Sequence, residues 1–185
     1  MLKRLQISIL IFLILLIGCS QIATYDDHEV VAIVKDEKIT VDDMRFLYPD
    51  DTAFDYLNWM IKVELIKQEV EAMGIDLSEQ INDEVSNDWF AELPPKHTKD
   101  EGGKQIRQFA ESQAKKLNMN PEQYQREYAK KIIEQNVYVV TYLEEMLGEA
   151  AFDDKEDMEL FNEKGHNLLE QLVEEHAAEI ERLIE

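Results

Sequence analysis

The fold is decided by residues 120–148, which read NPEQYQREYAKKIIEQNVYVVTYLEEMLG. Asn120 is a typical N-cap, Pro121 suits the first position of a helix, and Gly148 is a typical terminator. Apolar residues recur between them on one helical face: Tyr124, Tyr128, Ile132, Val139, Leu143 and Met146, with Ile133, Val137 and Val140 beside it. The spacing predicts a long helix whose Tyr128, Ile132, Val139 and Leu143 belong to the core and face a helix over residues 54–73.

Shorter helical patterns lie on both sides of this stretch. A helix from residue 52 to Gly74 is predicted to carry two apolar stripes: Phe54, Leu57, Ile61 and Leu65, and Trp59, Val63, Ile66, Val70 and Met73. A second helix is predicted from Asp76 to the Pro94-Pro95 stop, followed by a loop over 94–103. A third helix is predicted over 104–117. An acidic amphipathic helix is predicted from about Asp157 to the end. The last carries Met158, Phe161, Leu169, Leu172, Val173, Ile180 and Leu183.

The extended structure is predicted to be minimal. Residues 30–34, VVAIV, are a β-branched run, which a turn separates from Thr40, an N-cap with Asp43 at the third helical position. No second convincing strand follows, so a sheet would have to be a minimal hairpin or none. The expected fold class is therefore mainly α: a multi-helix domain with one short N-terminal extended segment and a long C-terminal amphipathic helix.

The N-terminus has the three parts of an export signal. Lys3 and Arg4 precede an apolar run over residues 7–17, and Gly18-Cys19-Ser20 follows. The run is shorter than the roughly 20 residues that a spanning helix needs, so a cleaved signal over residues 1–18 is favoured over an uncleaved anchor. Residues 16–19, LIGC, resemble the lipobox of bacterial lipoproteins, in which cleavage after Gly18 leaves a diacylglyceryl-modified and acylated Cys19.

Cys19 is the single cysteine of the chain, so lipidation would consume a thiol that has no disulfide partner. The resemblance implies a cell-membrane lipoprotein held by its lipid on the extracytoplasmic face. Loss of Lys3 and Arg4 with the signal would change the formal net charge from -21 to -23. This charge disfavours nucleic acid and anionic headgroups as partners. The lipid on Cys19 is the expected link to the membrane.

Residues 30–85 resemble the N-terminal domain of the SurA and PrsA class of extracytoplasmic foldases. The resemblance rests on the strand 31–34, on 39–43 (ITVDD), on 65–70 (LIKQEV) and on Met73-Gly74-Ile75 before Ser78-Glu79. Residues 117–124, LNMNPEQY, resemble the family's link into its long return helix. The chain departs from the family at 35–37, KDE, where Asn-Gly is usual, and at Val70, where Ala is usual.

The resemblance implies a domain organisation and a function. Residues 19–29 are expected to be the lipidated cysteine and a tether, 30–147 the SurA-like helical domain, and 148–185 the acidic C-terminal helix. The foldases also carry a parvulin isomerase domain with a Gly-rich segment, and no part of this sequence matches it. The expected activity is chaperone-like binding of unfolded or partner polypeptides without isomerase catalysis. The alternative is a structural lipoprotein whose C-terminal helix pairs with a specific partner or with itself.

Few residues suggest other chemistry. Only one of the four histidines, His166, has a possible second metal ligand one helical turn away, which is Glu170. A solvated charged face explains this pair better than a metal site does. The other three are His28, His97 and His176. The acids at 153–157 are explained by the start of a helix. No phosphate loop, nucleophile elbow or cofactor motif is evident. The candidate residues for binding polypeptide are Trp59, Met60, Trp89, Phe90 and Met119, since exposed aromatic and Met side chains adapt to diverse apolar segments.

Overall fold

The structure is a computed structural model that describes residues 21–149 and 155–184. The described chain is mainly α, as the sequence predicted. Its elements are β1 (Val30–Val34), β2 (Glu37–Thr40), α1 (Val41–Leu47), α2 (Leu57–Ala72), α3 (Ser78–Asn87), α4 (Glu101–Lys116), α5 (Pro121–Leu147), α6 (Lys155–Glu175) and β3 (Ile180–Arg182). Short 3-10 helices cover Gln21–Thr24, Ala53–Tyr56, Trp89–Ala91 and Ala177–Glu179.

Helix α5 begins and ends where the sequence predicted. The Asn120 side chain accepts hydrogen bonds from the backbone N–H groups of Glu122 and Gln123, and Gly148 ends the helix with a φ of 88°. Because glycine has no Cβ, it adopts this positive φ at little cost. The start and stop signals at this helix were therefore sufficient to place it.

The predicted core face of α5 was wrong by about one residue. The buried side chains are Tyr124, Gln125, Ala129, Ile133, Val137 and Tyr142. Ile132, Tyr128, Val139 and Leu143 are only half-buried, and Val140 and Met146 are each 50% exposed. Helix α5 packs against four other helices: α2, α3, α4 and α6. The buried face of α5 therefore depends on the helices that pack against it and cannot be predicted from a single apolar stripe.

Helix α2 supplies the centre of the main core. Leu57, Ile61 and Leu65 of the first predicted stripe are buried, together with Ile66 and Val70 of the second. The other members of the second stripe are less enclosed: Trp59 and Val63 are half-buried and Met73 is 42% exposed. Two sides of α2 are thus covered, as two apolar stripes predict.

The sheet has three antiparallel strands in the order β2-β1-β3, whereas the sequence predicted at most a minimal hairpin. β1 and β2 form a hairpin through Lys35-Asp36, with Val34 opposite Glu37. β3 comes from the C-terminus and places Ile33 opposite Glu181. The predicted helix to the end of the chain is therefore wrong: α6 ends at Glu175, because strand pairing with β1 engages the last residues instead.

The segment 21–29 is part of the folded structure, although the sequence predicted a tether over 19–29. Ile22 is fully buried, and the rings of Tyr25 and Phe54 meet edge to face at 5.5 Å. The Val41 N–H donates to the Glu29 carbonyl at 2.9 Å. Residues 21–29 are therefore not a free tether. The pattern did not predict this, because a few apolar side chains can pack on a core without forming a periodic sequence pattern.

Two predicted boundaries between α3 and α5 also change. Helix α3 stops at Asn87, before the separate 3-10 helix that contains Trp89 and Phe90. Helix α4 starts at Glu101 rather than 104, with the Asp100 side chain accepting from the Gly103 N–H. Gly102-Gly103 therefore lies in the first turn of a helix and not in a loop. A Cβ at Gly103 would approach Pro94, Thr98 and Asp100 within 3.1–3.4 Å, so close packing explains the glycine.

The described residues form two apolar clusters. The main cluster joins the sheet, α1, α2, the C-terminal half of α5 and α6, whose Leu169 and Leu172 are buried. The second, smaller cluster surrounds Ala110, Ala114 and Tyr124, where α4 packs on α5. Both clusters contact α1, so this short helix connects them.

Buried polar groups fix α4 to the end of α1. The Gln113 Nε2 donates to the Arg45 and Tyr48 carbonyls, and Lys116 Nζ lies 2.9 Å from Asp50 Oδ1. Burial would raise the pKa of Asp50, but hydrogen bonds from Arg45 and Lys116 outweigh it and hold the pKa below its usual value. The carboxylate is therefore ionised at neutral pH and anchors both cations.

Candidate polypeptide-binding site

A groove of about 240 Å³ lies where β2, α1, α2 and α5 meet. Its lining consists of Lys38, Ile39, Asp43, Leu47, Met60, Val63, Glu64, Lys67, Lys131, Glu134, Gln135 and Tyr138. Each helix contributes residues at helical spacing: Met60, Val63 and Lys67 from α2, and Lys131, Glu134 and Tyr138 from α5. The groove is thus built from one face of each helix and the edge of the sheet.

The apolar part of this lining is continuous with the main core. Ile39 and Leu47 are buried, whereas Met60, Val63 and Tyr138 are half-buried and remain accessible from the groove. A half-buried Met can change its rotamer to fit different apolar partners, since its side chain is unbranched. This surface can therefore accept an apolar side chain without unfolding its surroundings.

The charged residues of the groove differ in how they are engaged. Asp43 accepts hydrogen bonds from the Thr40 N–H at 3.0 Å and hydroxyl at 2.6 Å, and Glu64 accepts from Gln68 Nε2 at 2.8 Å. None of Lys38, Lys67 and Lys131 forms an ion pair with another described residue, whereas Lys35, Lys62 and Lys116 elsewhere do. The lining also includes the carboxylate of Glu134, so its formal charges balance: three lysines face three acids.

Glu64 is a carboxylate whose charged form is disfavoured by burial. Burial raises the pKa of its carboxyl above the usual 4.5, although the hydrogen bond from Gln68 and the nearby Lys67 oppose this shift. A raised folded-state pKa means that Glu64 stabilises the fold fully only below its unfolded pKa. That stabilisation is lost as the pH rises through the folded pKa.

We therefore expect Glu64→Gln to raise the urea midpoint of the chain at pH 7, because a neutral amide avoids the cost of burying the charge and can still accept from Gln68. The advantage over the parent should disappear as the pH falls toward 4, where Glu64 is protonated. Glu145→Gln, at an exposed position of α5, is the matched control. An advantage of Glu64→Gln that does not depend on pH would contradict this account.

An aromatic cluster lies beside the groove, around the N-terminal half of α5. Tyr128 contacts the rings of Phe109 at 5.3 Å, Tyr124 at 5.7 Å and Phe90 at 6.1 Å. Tyr124 is buried, and its hydroxyl donates to the Phe46 carbonyl at 2.9 Å. The other four rings are half-buried, so this aromatic cluster (Phe46, Phe90, Phe109, Tyr124 and Tyr128) is partly exposed at the surface.

Lys131 joins the groove to the aromatic cluster. Its Nζ lies 5.5 Å from the centre of the Phe46 ring, while its side chain also lines the groove. Such a cation–π contact orients the ammonium toward the ring face. Phe46 lies on α1 directly before Leu47, which lines the groove. Groove and aromatic cluster are therefore neighbours along α1 and α5.

The structure separates the five residues predicted to bind polypeptide. Met60 lies in the groove. Phe90 belongs to the aromatic cluster, and Met119 is half-buried against the second apolar cluster. Trp59 is half-buried against the main core and is not part of the groove lining. Trp89 lies in the 3-10 helix next to Phe90.

Most of the groove was not among the predicted binding residues. Val63 was predicted as part of an apolar stripe and not as a binding residue, and Lys67, Lys131 and Tyr138 were not among the five candidates, although Met60, Val63 and Lys67 share a helical face. Lys38 sits on β2, a strand for which the sequence shows no convincing pattern. The missing information was which helical faces meet, and periodicity does not contain it.

The other predicted features contribute no site in the described residues. His28 and His97 are exposed, and His166 Nε2 lies 3.9 Å from Glu170 Oε1 on a solvated face. Within residues 21–149 and 155–184, no group of three or more His, Cys, Asp and Glu could hold a metal ion. Gly18, Cys19 and the signal segment 1–18 lie outside the described residues, as do Asp153 and Asp154.

Across the part of the chain that the structure describes, no helix has both the length and the apolar character needed to cross a bilayer. Comparison of the chain with protein-family models, curated proteins and solved structures found no match.

Proposed function

We propose that the chain is a lipoprotein, anchored at the extracytoplasmic face of the cell membrane through Cys19, that binds unfolded or partner polypeptides without catalysing their isomerisation. The observation that supports binding most directly is the groove with half-buried Met60, Val63 and Tyr138 beside the aromatic cluster. Residues 1–20 support the anchor, because their pattern is that of a lipoprotein signal.

The proposed mechanism is holding. Apolar side chains of a client occupy the groove and the aromatic cluster, which removes them from contact with other clients and so delays aggregation. The formal net charge of -23 after removal of the signal, from -21 for the full sequence, keeps the complex soluble and attracts clients with basic segments to the surface as a whole. Release of the client breaks no covalent bond, so the activity is reversible binding and not catalysis.

The alternative function, pairing through the C-terminal helix, has less support. Leu169 and Leu172 of α6 are buried against the rest of the chain, and Lys62 Nζ lies 2.6 Å from Glu170 Oε1. β3 then continues from α6 into the sheet. A helix that already packs on its own domain has only its first turns, with Met158 and Leu160 exposed, to offer a partner.

Aggregation of a reduced model substrate tests the proposal. The fragment 20–185 is suitable, because both described apolar clusters lie between Ile22 and Ile184. We expect it to delay aggregation, and Met60→Gln to weaken the effect: loss of roughly 1.4 kcal/mol of apolar contact reduces affinity about tenfold. Met146→Gln is the matched control, at an exposed position outside the groove. Equal protection by both variants would count against the groove as the site.

A further inference from the structure

We propose that the lipid anchor holds one particular end of the domain against the bilayer, so that the turn between β1 and β2 points away from the membrane and the groove opens beside it. The partner of this end is the lipid surface itself. The inference rests on the proposed function, because it takes Cys19 as the lipidated residue. It is carried by the short chain between Cys19 and the core, by where that chain enters the fold, and by the charge of the domain.

The chain between the anchor and the folded domain is very short. Ile22 is fully buried in the main cluster, and Ser20 and Gln21 alone separate it from Cys19. Successive Cα atoms are about 3.8 Å apart, so the Cα atoms of Cys19 and Ile22 are at most about 11 Å apart in any conformation. The part of the domain around Ile22 is therefore kept at the membrane surface.

This part of the chain lies at one end of the domain. The ring of Tyr25 meets that of Phe54, which comes just before the start of α2. The last strand also finishes here, since the Leu183 N–H donates to the carbonyl of Val31 near the start of β1 at 2.9 Å. We call this the anchored end; it consists of residues 21–29, 53–58 and 182–184.

The opposite end contains the turn between β1 and β2. Lys35 Nζ lies 3.2 Å from Glu69 Oε1 near the end of α2, and the Lys35 N–H donates to the Glu179 carbonyl at 2.8 Å. We call this the distal end; it consists of residues 34–38, 67–74 and 175–179. A strand rises about 3.3 Å per residue and a helix 1.5 Å, so β1 and α2 each separate the two ends by roughly 16–18 Å. This separation exceeds the reach of the chain from Cys19, so the distal end cannot take the place of the anchored end.

The charge of the domain opposes lying flat on an anionic bilayer. The distal end has more acids than lysines: Asp36, Glu37, Glu69, Glu71, Glu175 and Glu179 against Lys35, Lys38 and Lys67. The anchored end is acidic too, with Asp26, Asp27, Glu29 and Asp55 against Arg182. Charges interact over about 8 Å at physiological ionic strength. An upright domain exposes only the anchored end to this repulsion, whereas a domain on its side exposes both ends.

The groove lies along the length of α2 rather than at either end of the domain. Met60 and Lys67, which line it, are about 5 and 15 Å from Leu57 along the helix axis. In an upright domain the groove therefore opens parallel to the bilayer, starting about one helical turn above the anchored end. A polypeptide segment that emerges from the membrane would meet the groove there.

Fluorescence quenching at two exposed positions tests this orientation. The full chain, purified with its lipid, is reconstituted in vesicles of phosphatidylcholine and phosphatidylglycerol, and some of the phosphatidylcholine carries a nitroxide on its headgroup. Asp26→Cys places a fluorophore at the anchored end and Asp36→Cys at the distal end, and both replace an exposed acid. Because the nitroxide quenches only at short range, we expect the label at position 26 to lose most of its fluorescence and the label at position 36 to lose little.

A second pair repeats the comparison at the two ends of α2. Asp55→Cys and Glu71→Cys are both at exposed positions, and the label at 55 should be quenched far more than the label at 71. Circular dichroism establishes that each variant folds. This pair decides the question if a variant of the first pair does not fold.

An insertion in the tether supplies the control. About ten Gly and Ser residues between Ser20 and Gln21 add roughly 17 Å of average reach, while the lipid and every described residue stay the same. The longer chain should remain on the vesicles, but its label at position 26 should be quenched much less than without the insertion. The fragment 20–185 labelled at position 26 has no lipid and should not be quenched.

Equal quenching at positions 26 and 36 would overturn the orientation, as would an insertion that leaves the quenching at position 26 unchanged. Either result would leave the lipid anchor standing, because the chain is still on the vesicle. If the full chain does not bind the vesicles at all, the anchor and this inference fail together. The comparison of Met60→Gln with Met146→Gln in the fragment 20–185 decides separately whether holding fails too.

Discussion

Replacing Ile133 with Asp should unfold the chain. Ile133 is 6% exposed in the main cluster, where α5 packs against the rest of the domain. A carboxylate there would be buried without a partner or would expel the helix, at a cost of several kcal/mol. Since the free energy of unfolding of a domain is about 5–15 kcal/mol, the folded state should be largely lost at room temperature.

The matched control is Val140→Asp on the same helix. It makes the same kind of change, from a β-branched apolar residue to Asp, but Val140 is 50% exposed. Its effect should stay within about 0.5 kcal/mol. Circular dichroism and urea melts of the fragment 20–185 measure both. If the two variants unfold at the same midpoint, α5 does not pack through Ile133 and the position of the groove beside it is wrong.

Replacing Cys19 with Ala should release the protein from the membrane. In the proposed function the acyl chains on Cys19 are the anchor, and each buried methylene contributes about 0.8 kcal/mol to membrane binding. The folded domain should be unaffected, because the first buried residue described is Ile22. Fractionation of cells after labelling with a radioactive fatty acid measures both the anchor and the modification.

Ser20→Ala serves as the control for this experiment, since it changes the neighbouring residue by a similar amount and leaves the thiol in place. It should remain labelled and membrane-bound. A Cys19→Ala variant that still takes up the fatty acid would rule out Cys19 as the lipidation site. One that is unlabelled but still sediments with the membrane would show that something other than the lipid holds the chain.

Local signals in the sequence placed several helix ends. Asn120 and Gly148 placed both ends of α5, and Thr40 with Asp43 placed the start of α1, where the two residues form a capping box. These signals succeed because caps and terminators act within one turn of the chain. The mainly α fold class followed from them.

Long-range features were not predictable in the same way. β3 pairs with β1 across almost the whole chain, and its residues Ile180–Arg182 looked helical because the acidic pattern of α6 continues into them. The buried face of α5 was misplaced onto Ile132, since the choice between Ile132 and Ile133 depends on which helices pack there. Packing partners, rather than propensity, decided both cases.

The candidate site was only partly predictable from the sequence. Met60 and Phe90 were recognised from their chemistry as adaptable apolar residues, but nothing in the sequence placed Met60 beside Lys131 and Tyr138 of a helix seventy residues away. The contribution of Lys38 and Ile39 to the groove was not predictable either, because the sequence shows no convincing pattern for strand β2. Sites assembled from several elements depend on tertiary contacts that a single sequence does not encode in its local pattern.

The most direct test of the central claim is to map where a client touches the protein. Cys19 is the only cysteine, so the fragment 20–185 accepts a single benzophenone label at an engineered cysteine. Val63→Cys places it in the groove, and Val140→Cys places it on an exposed part of α5 outside the groove lining. With an unfolded, cysteine-free model substrate, we expect strong photo-crosslinking from position 63 and little from position 140. Equal crosslinking from both positions, or none from position 63, would contradict it.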